Sequence, residues 1–121
     1  MDIEKKELEN EDEMTVLTEG SGVFVLKKPI DVNGEKVSSL KYNLDAMTAR
    51  DKQRATLKYK KSGNGIGLPE FDSDYHLYLF AAAVAKENQS INIDDLFRMS
   101  AKDAISAGNL VRDFFFLDLE D

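Results

Sequence analysis

The chain has 121 residues, a formal net charge of −7 and a hydrophobic content of 42%. This length fits one domain, and the apolar content suffices for a modest core, which excludes a protein disordered throughout. The absence of cysteine excludes disulfide frameworks and thiolate metal sites. The first residues lack a secretory signal, and no stretch approaches the ~20 apolar residues of a membrane span.

The negative charge is concentrated at the two ends of the chain. Residues 1–13 carry seven acids and two bases, and residues 118–121 carry three acids. The remaining residues hold 13 acids and 14 bases and are nearly neutral. We therefore predict a disordered acidic segment over residues 1–20, a single domain over residues 21–117 and an acidic end over residues 118–121.

A β-hairpin is the clearest local prediction. Two runs rich in β-branched and aromatic residues flank Asn33-Gly34, and both of these residues tolerate the positive φ of a type I′ turn. A two-residue loop pairs Val32 with Glu35, and the next two pairs follow from it. Continued without interruption, this register predicts one face that holds Val23, Val25, Leu40, Tyr42 and Leu44, and an opposite face that holds Phe24, Leu26, Ile30 and Val37.

Helical patterns occupy the rest of the chain. We predict a helix from Met47 to Lys61 with a Thr48–Asp51 capping box, and a helix near residues 71–88 capped by Asp72 or Ser73. The second is apolar nearly all round, which predicts the most buried helix. A short helix is capped by Asn92 or Asp94, and a last helix follows Ser100, with Asp103 in a second box. Strands followed by helices predict an α+β domain, a hairpin packed against three to four helices.

No motif in the sequence indicates catalysis or a cofactor. The segment from Gly63 to Gly67 lacks the spacing of a dinucleotide fingerprint and the Gly-Lys-Ser/Thr of a P-loop, so we interpret it as a joint between helices. His76 is the single histidine, and with no cysteine it cannot form an ordinary zinc site. We interpret it as a structural residue. The sequence therefore predicts a non-enzymatic protein without a metal.

The first predicted helix is strongly basic. Its six bases from Arg50 to Lys61 oppose a single acid, Asp51. The acidity of the whole chain argues against nucleic-acid binding. A solvated face is one interpretation of these charges, and docking of the acidic N-terminal segment or of an acidic partner is the other.

Three consecutive phenylalanines end the last predicted helix. Residues on a helix are ~100° apart, so Phe114, Phe115 and Phe116 cannot all face one core. Val111 and Phe115 share a predicted buried stripe with Ile105 and Gly108. Either a wide core covers all three rings, or one face binds a partner or a second copy. The candidate partner-binding residues are Phe114, Phe116, Leu117, Phe24 and Leu26.

The order of these segments resembles the tail assembly chaperones of long-tailed bacteriophages and prophages. The matching stretches over residues 23–116 are "VFVLKKPI" with its Asn-Gly hairpin, "YNLDAMTARD", "HLYLFAAAVA" and "DLFRMSAKDAISAGNLVRDFFF". Motif positions that match are Leu26, Lys28, Pro29, Thr48, Asp51, Ser100, Asp103, Val111, Phe114 and Phe115.

The resemblance implies a virion assembly factor in the bacterial cytoplasm. Such proteins bind the tape measure protein, keep it soluble and recruit tail tube subunits, and they have no catalytic residues. The alternatives are a minor structural virion protein of the tail or head, and a nucleic-acid-associated regulator that uses the basic helix.

Overall fold

The computed structural model describes residues 20–63, 65 and 67–117. Strands β1 (Ser21–Val32) and β2 (Glu35–Asn43) are followed by helices α1 (Ala49–Lys61), α2 (Ser73–Glu87), α3 (Ile93–Leu96) and α4 (Ala101–Phe116). A short 3₁₀ helix, Pro69–Phe71, precedes α2 and was not predicted. The α+β architecture is confirmed. The predicted segments over residues 1–20 and 118–121 lie outside the described residues, apart from Gly20.

The turn of the hairpin has the predicted geometry. Asn33 and Gly34 both have positive φ, 52° and 85°. The three pairs next to the turn match the prediction, and Lys36 and Asp31 form an ion pair with 3.5 Å between Nζ and Oδ1. Two residues that tolerate the left-handed region thus set the register beside the turn.

Gly34→Ala is expected to lower the free energy of unfolding by about 1 kcal/mol, because an alanine at positive φ is strained. A methyl group there would touch nothing within 4 Å, so the loss would come from the backbone alone. Urea denaturation measures it. Gly67→Ala is the control, since Gly67 also has free space but no positive φ. Equal losses for the two variants would contradict the turn geometry.

A large bulge in β1 reverses the faces predicted for the outer half of the hairpin. Val25 pairs with Ser39 and Ile30 pairs with Val37, so four residues of β1 lie opposite one residue of β2. Three extra residues are an odd number, and an odd shift moves side chains to the opposite face. The prediction that Val23 and Val25 share a face with Leu40 is therefore wrong.

The structure pairs Phe24 with Leu40 and turns both toward the helices. Leu26, Tyr42 and Leu44 are buried on the same side. Val23 and Val25 lie on the outer face, where 49% and 71% of their surface is exposed.

Asp103 of α4 holds the bulge in place. Its two carboxylate oxygens accept hydrogen bonds from the backbone N–H groups of Lys27 and Lys28, both at 3.1 Å. The Asp103 N–H donates to the hydroxyl of Ser100, the N-cap of α4. Burial by itself would raise the pKa of Asp103, but these backbone donors and the Ser100 hydroxyl outweigh it and lower the pKa. The ionised carboxylate thus joins α4 to the hairpin.

The other helices begin where their capping residues predict. Thr48 and Asp51 form the predicted capping box at α1, and Asn92 forms a box with Asp95 at α3. Asp72 caps α2 by accepting from the Tyr75 N–H at 3.0 Å. These bonds satisfy N–H groups that have no partner within their own helix.

Helix α2 forms the centre of the core, as predicted. It packs against β2, α1 and α4, and Phe80, Ala83 and Val84 are almost completely buried. The ring of Phe80 lies 5.4 Å from the ring of Phe24 and 5.7 Å from that of Tyr42. One α2 side chain therefore joins the hairpin to the helices.

Candidate binding grooves

An apolar groove of about 330 Å³ opens where the end of α4 meets α2 and the start of α1. We call it the aromatic groove. Its lining comes from three separate parts of the chain. These are Met47, Thr48, Ala49 and Lys52 around the start of α1, Tyr75 and Leu79 of α2, and Phe115 and Phe116 of α4.

Tyr75 and Leu79 lie one helical turn apart on α2 and form the floor of the aromatic groove. The Tyr75 hydroxyl lies 2.8 Å from the Thr56 hydroxyl. Because Thr56 donates its hydrogen to the Lys52 carbonyl at 2.9 Å, Tyr75 is the donor of this bond. The polar end of the Tyr75 ring is thus satisfied inside the protein, and the floor is apolar.

Phe116 and Phe115 form the wall contributed by α4, and Phe116 is supported by His76. The rings of Phe116 and His76 are 5.2 Å apart. The His76 Nε2 lies 2.7 Å from the Pro69 carbonyl oxygen. Burial lowers the pKa of His76, although this carbonyl opposes the shift, so the neutral ring donates to Pro69. His76 therefore makes a structural contact between α2, the 3₁₀ helix and the aromatic wall.

All three phenylalanines of the run are partly buried against the core. Phe116 lines the aromatic groove, whereas Phe114 packs edge-on against Phe115, with 4.9 Å between ring centroids. Leu117 is 53% exposed just beyond the groove. The predicted stripe was right for Val111 and Gly108, which are buried, and wrong for Ile105, which is 60% exposed.

The two hairpin candidates lie elsewhere. Leu26 is 5% exposed and belongs to the protein's own core, so its side chain is not available to a partner in this structure. Phe24 is partly buried against Phe80. The cause is the bulge, which turns this part of β1 toward the helices. The structure thus keeps Phe116 as a groove residue and leaves Phe24 and Leu26 in the interior.

Met47, Tyr75 and Leu79 were missed as groove residues. Tyr75 and Leu79 belong to a helix that is apolar nearly all round, and the sequence does not say which of its side chains border an opening. Met47 lies in the loop before α1 and carries no local signal. These residues border an opening only because the end of α4 packs beside them, and the sequence does not indicate this packing.

A second groove of about 450 Å³ runs between α1, α2 and the segment that leads into α3. We call it the basic groove. Its polar side is lined by three bases, one acid and two amides, which are Arg54, Lys58, Lys86, Asp51, Gln89 and Asn92. Its apolar side is formed by Tyr78, Ala81, Ala82, Ala85, Ile91 and Ile93.

One base of the basic groove is already paired. Lys86 lies 2.8 Å from the Asp51 carboxylate. Hydrogen bonds from Lys86 and from Thr48 lower the pKa of Asp51 and keep it ionised. Among the described residues, neither Arg54 nor Lys58 has a carboxylate within ion-pair distance. With respect to the described residues, the groove therefore presents two uncompensated positive charges.

A tyrosine contact fixes the end of α1 against the start of α2. The Tyr59 hydroxyl donates to both carboxylate oxygens of Asp72, at 2.9 and 3.0 Å. Burial and this carboxylate raise the pKa of Tyr59 to about 12. The Tyr59 ring also lies 5.1 Å from that of Tyr78. The walls contributed by α1 are thus held in place by buried contacts.

In comparisons with known proteins, no protein-family model, no curated protein and no solved structure matches this chain. Within the described residues, no group of three or more acidic, histidine or cysteine side chains could hold a metal ion. No helix in that part of the chain is both long and apolar enough to cross a membrane.

Proposed function

We propose that this protein is a tail assembly chaperone of a long-tailed bacteriophage or prophage. It binds an apolar helical segment of the tape measure protein in the aromatic groove and helps to recruit tail tube subunits. It acts without catalysis, in the cytoplasm of the bacterial host.

The aromatic groove is the observation that carries this proposal. Its floor and wall are largely apolar, and the polar group of Tyr75 is bonded inside the protein. A groove of this kind suits the apolar face of an amphipathic helix, which contributes side chains spaced three or four residues apart. A long helical protein with exposed apolar faces is prone to aggregate before the tail tube assembles around it, and a bound chaperone would shield those faces.

The motif positions behind the resemblance also fit together in space. The backbone of Lys28 and the side chain of Asp103 are hydrogen-bonded although they lie 75 residues apart in the sequence. Leu26 is buried beside this contact, and Ser100 caps the helix that carries Asp103. Within this chain, these matched positions form one structural unit.

Ala49→Glu is expected to weaken binding of the tape measure protein without loss of stability. Ala49 is exposed at the first position of α1 and lines the aromatic groove. An acid at that position suits the positive end of the helix dipole. The same charge placed against an apolar ligand should weaken binding by roughly tenfold or more. Co-expression with the long coiled-coil protein encoded nearby, followed by copurification, measures the effect.

Ala101→Glu is the matched control. Ala101 is also exposed at the first position of a helix, α4, but it lies outside the groove lining. It should copurify as the unchanged protein does. If neither the unchanged chain nor this control binds or solubilises the long protein, the proposal is rejected. Presence of the chain in purified particles would then identify it as a minor structural component.

A further inference from the structure

The basic groove carries positive charges along one edge that no described acid neutralises. The bases Arg50, Arg54, Lys58 and Lys61 are spaced four, four and three residues apart, so they form one exposed stripe along α1. Arg54 and Lys58 of this stripe border the basic groove. The stripe therefore runs along one edge of an opening whose other side is apolar.

The helix dipole accounts for part of this charge only. Lys58, Lys60 and Lys61 lie in the last turn of α1, where bases are favourable. Arg50 lies in the first turn, where a base is unfavourable, and Arg54 lies in the middle. The helix has a net charge of +5, from six bases and one acid. The helix therefore carries more positive charge than its dipole favours, and we take this excess as a sign of an acidic partner.

The N-terminal segment of the same chain has the complementary properties. Residues 1–13 carry seven acids and two bases, a net charge of −5. Residues 1–19 also contain apolar side chains, at Met1, Ile3, Leu8, Met14, Val16 and Leu17. A segment that mixes acids with apolar residues suits a groove with a basic edge and an alanine-lined floor.

The chain enters the described fold next to the start of α1. The Gly20 carbonyl accepts from the Leu44 N–H, and a Cβ at Gly20 would overlap the carboxylate of Asp45. Helix α1 begins at Ala49, a few residues after Asp45. Nineteen residues can span up to about 60 Å, whereas the 13 residues of α1 span about 20 Å. Residues 1–19 are therefore long enough to reach every part of the basic groove.

We propose that residues 1–19 bind in the basic groove of their own chain, with their acids along Arg54 and Lys58 and their apolar side chains on the alanine face of α2. Nucleic acid fits these features less well, because a phosphate backbone gains nothing from an apolar floor and the acidic segment repels it. The segment thus covers a surface distinct from the aromatic groove, and this inference does not depend on the proposed function.

A spin label on the full-length chain tests the contact. Since the sequence has no cysteine, Asn10→Cys gives a single attachment site without changing the charge of the segment. A nitroxide at this position should broaden the amide signals of Arg54, Lys58 and Ile91 in the ¹⁵N spectrum. The amide of Lys102, on α4 and outside the groove lining, should be broadened less. The reduced, diamagnetic label provides the reference intensities.

Charge reversal then tests which residues hold the segment. Arg54→Glu with Lys58→Glu should lower the ratio of bound to unbound segment by roughly tenfold, since each exposed ion pair contributes a factor of ~3. Lys41→Glu with Lys102→Glu changes the net charge equally at exposed positions outside the groove and should have little effect. Glu9, Glu11 and Glu13 changed to Gln should reproduce the loss while leaving residues 20–117 unaltered. High salt should reduce the broadening in the unchanged chain.

Four outcomes would overturn the proposal. One is broadening spread evenly over the surface, and another is an equal loss in the groove variant and its matched control. The third comes from mixing ¹⁵N-labelled chains that carry no spin label with spin-labelled ¹⁴N chains. Broadening equal to that within one chain would assign the groove to the segment of a second copy. Binding of a random 20-nucleotide DNA through Arg54 and Lys58, with no contact from the segment, would assign it to nucleic acid instead.

Discussion

Asp103→Asn is expected to lower the free energy of unfolding by about 3 kcal/mol. The Asp103 carboxylate is 2% exposed and accepts hydrogen bonds from the N–H groups of Lys27 and Lys28. An asparagine has one oxygen in place of two, so its NH₂ group would face one of these N–H donors. A hydrogen bond to a charged acceptor is lost and a partly buried N–H group is left unsatisfied, each worth roughly 1–3 kcal/mol.

At acidic pH, the free energies of unfolding of the unchanged protein and of Asp103→Asn should become more similar. The pKa of Asp103 in the folded state is lower than its ordinary value of 3.8. The ionised group therefore adds stability that is fully present above pH ~4 and is lost as the pH falls through the folded pKa. Urea denaturation at pH 7 and at successively lower pH would show the two free energies converging below pH ~4.

Asp113→Asn is the matched control for this experiment. Asp113 lies on the same helix, and its side chain is 63% exposed beside Arg112. Its loss should change the stability by less than ~0.5 kcal/mol at pH 7. If Asp103→Asn were equally mild, the carboxylate would not be what holds the bulge, and the account of the outer hairpin would fail.

Phe80→Ala should cost about 3–5 kcal/mol, the usual range for a buried phenylalanine. Phe80 is fully buried, and its ring contacts the rings of Phe24 and Tyr42. The cavity would open between the hairpin and α2, and a two-stranded hairpin alone is marginally stable. A loss of this size is a large part of the 5–15 kcal/mol that typical domains have.

Thermal and urea unfolding, followed by circular dichroism, would measure the loss. The substitution should disturb the hairpin most. In the ¹⁵N NMR spectrum, the amide signals of β1 and β2 should therefore shift more than those of α3. Phe71→Ala removes the same side chain from the 3₁₀ helix, where it is 70% exposed, and should cost less than ~1 kcal/mol. Similar costs for the two variants would show that Phe80 does not join the sheet to the helices.

Local signals in the sequence were enough to predict the elements and several of their boundaries. Asn33-Gly34 determines its turn because both residues accept positive φ. Thr48 with Asp51 determines the start of α1, since the bonds that close this box span three residues. The central place of α2 follows from its apolar surface on all sides. Each of these interactions lies within a few residues, so the sequence pattern contains it.

The bulge could not be predicted in this way. Pro29 fits an edge strand as well as a bulge, so it does not by itself indicate extra residues. The carboxylate that binds this stretch is 75 residues away for Lys28. A shift by an odd number of residues then decides which face of the hairpin is buried. This is why Phe24 and Leu26 belong to the interior and Val25 to the surface.

The sequence by itself thus determined an α+β chain with its turn, its helix caps and its acidic and basic segments. The tertiary structure alone decided the faces of the hairpin and the two grooves. Met47, Tyr75 and Phe116 border one opening although they come from three separate segments. Arg54, Ala82 and Ile91, also from three separate segments, border the basic groove. The reason is physical: caps and turns depend on bonds between near neighbours, whereas a groove is the space left where distant elements pack.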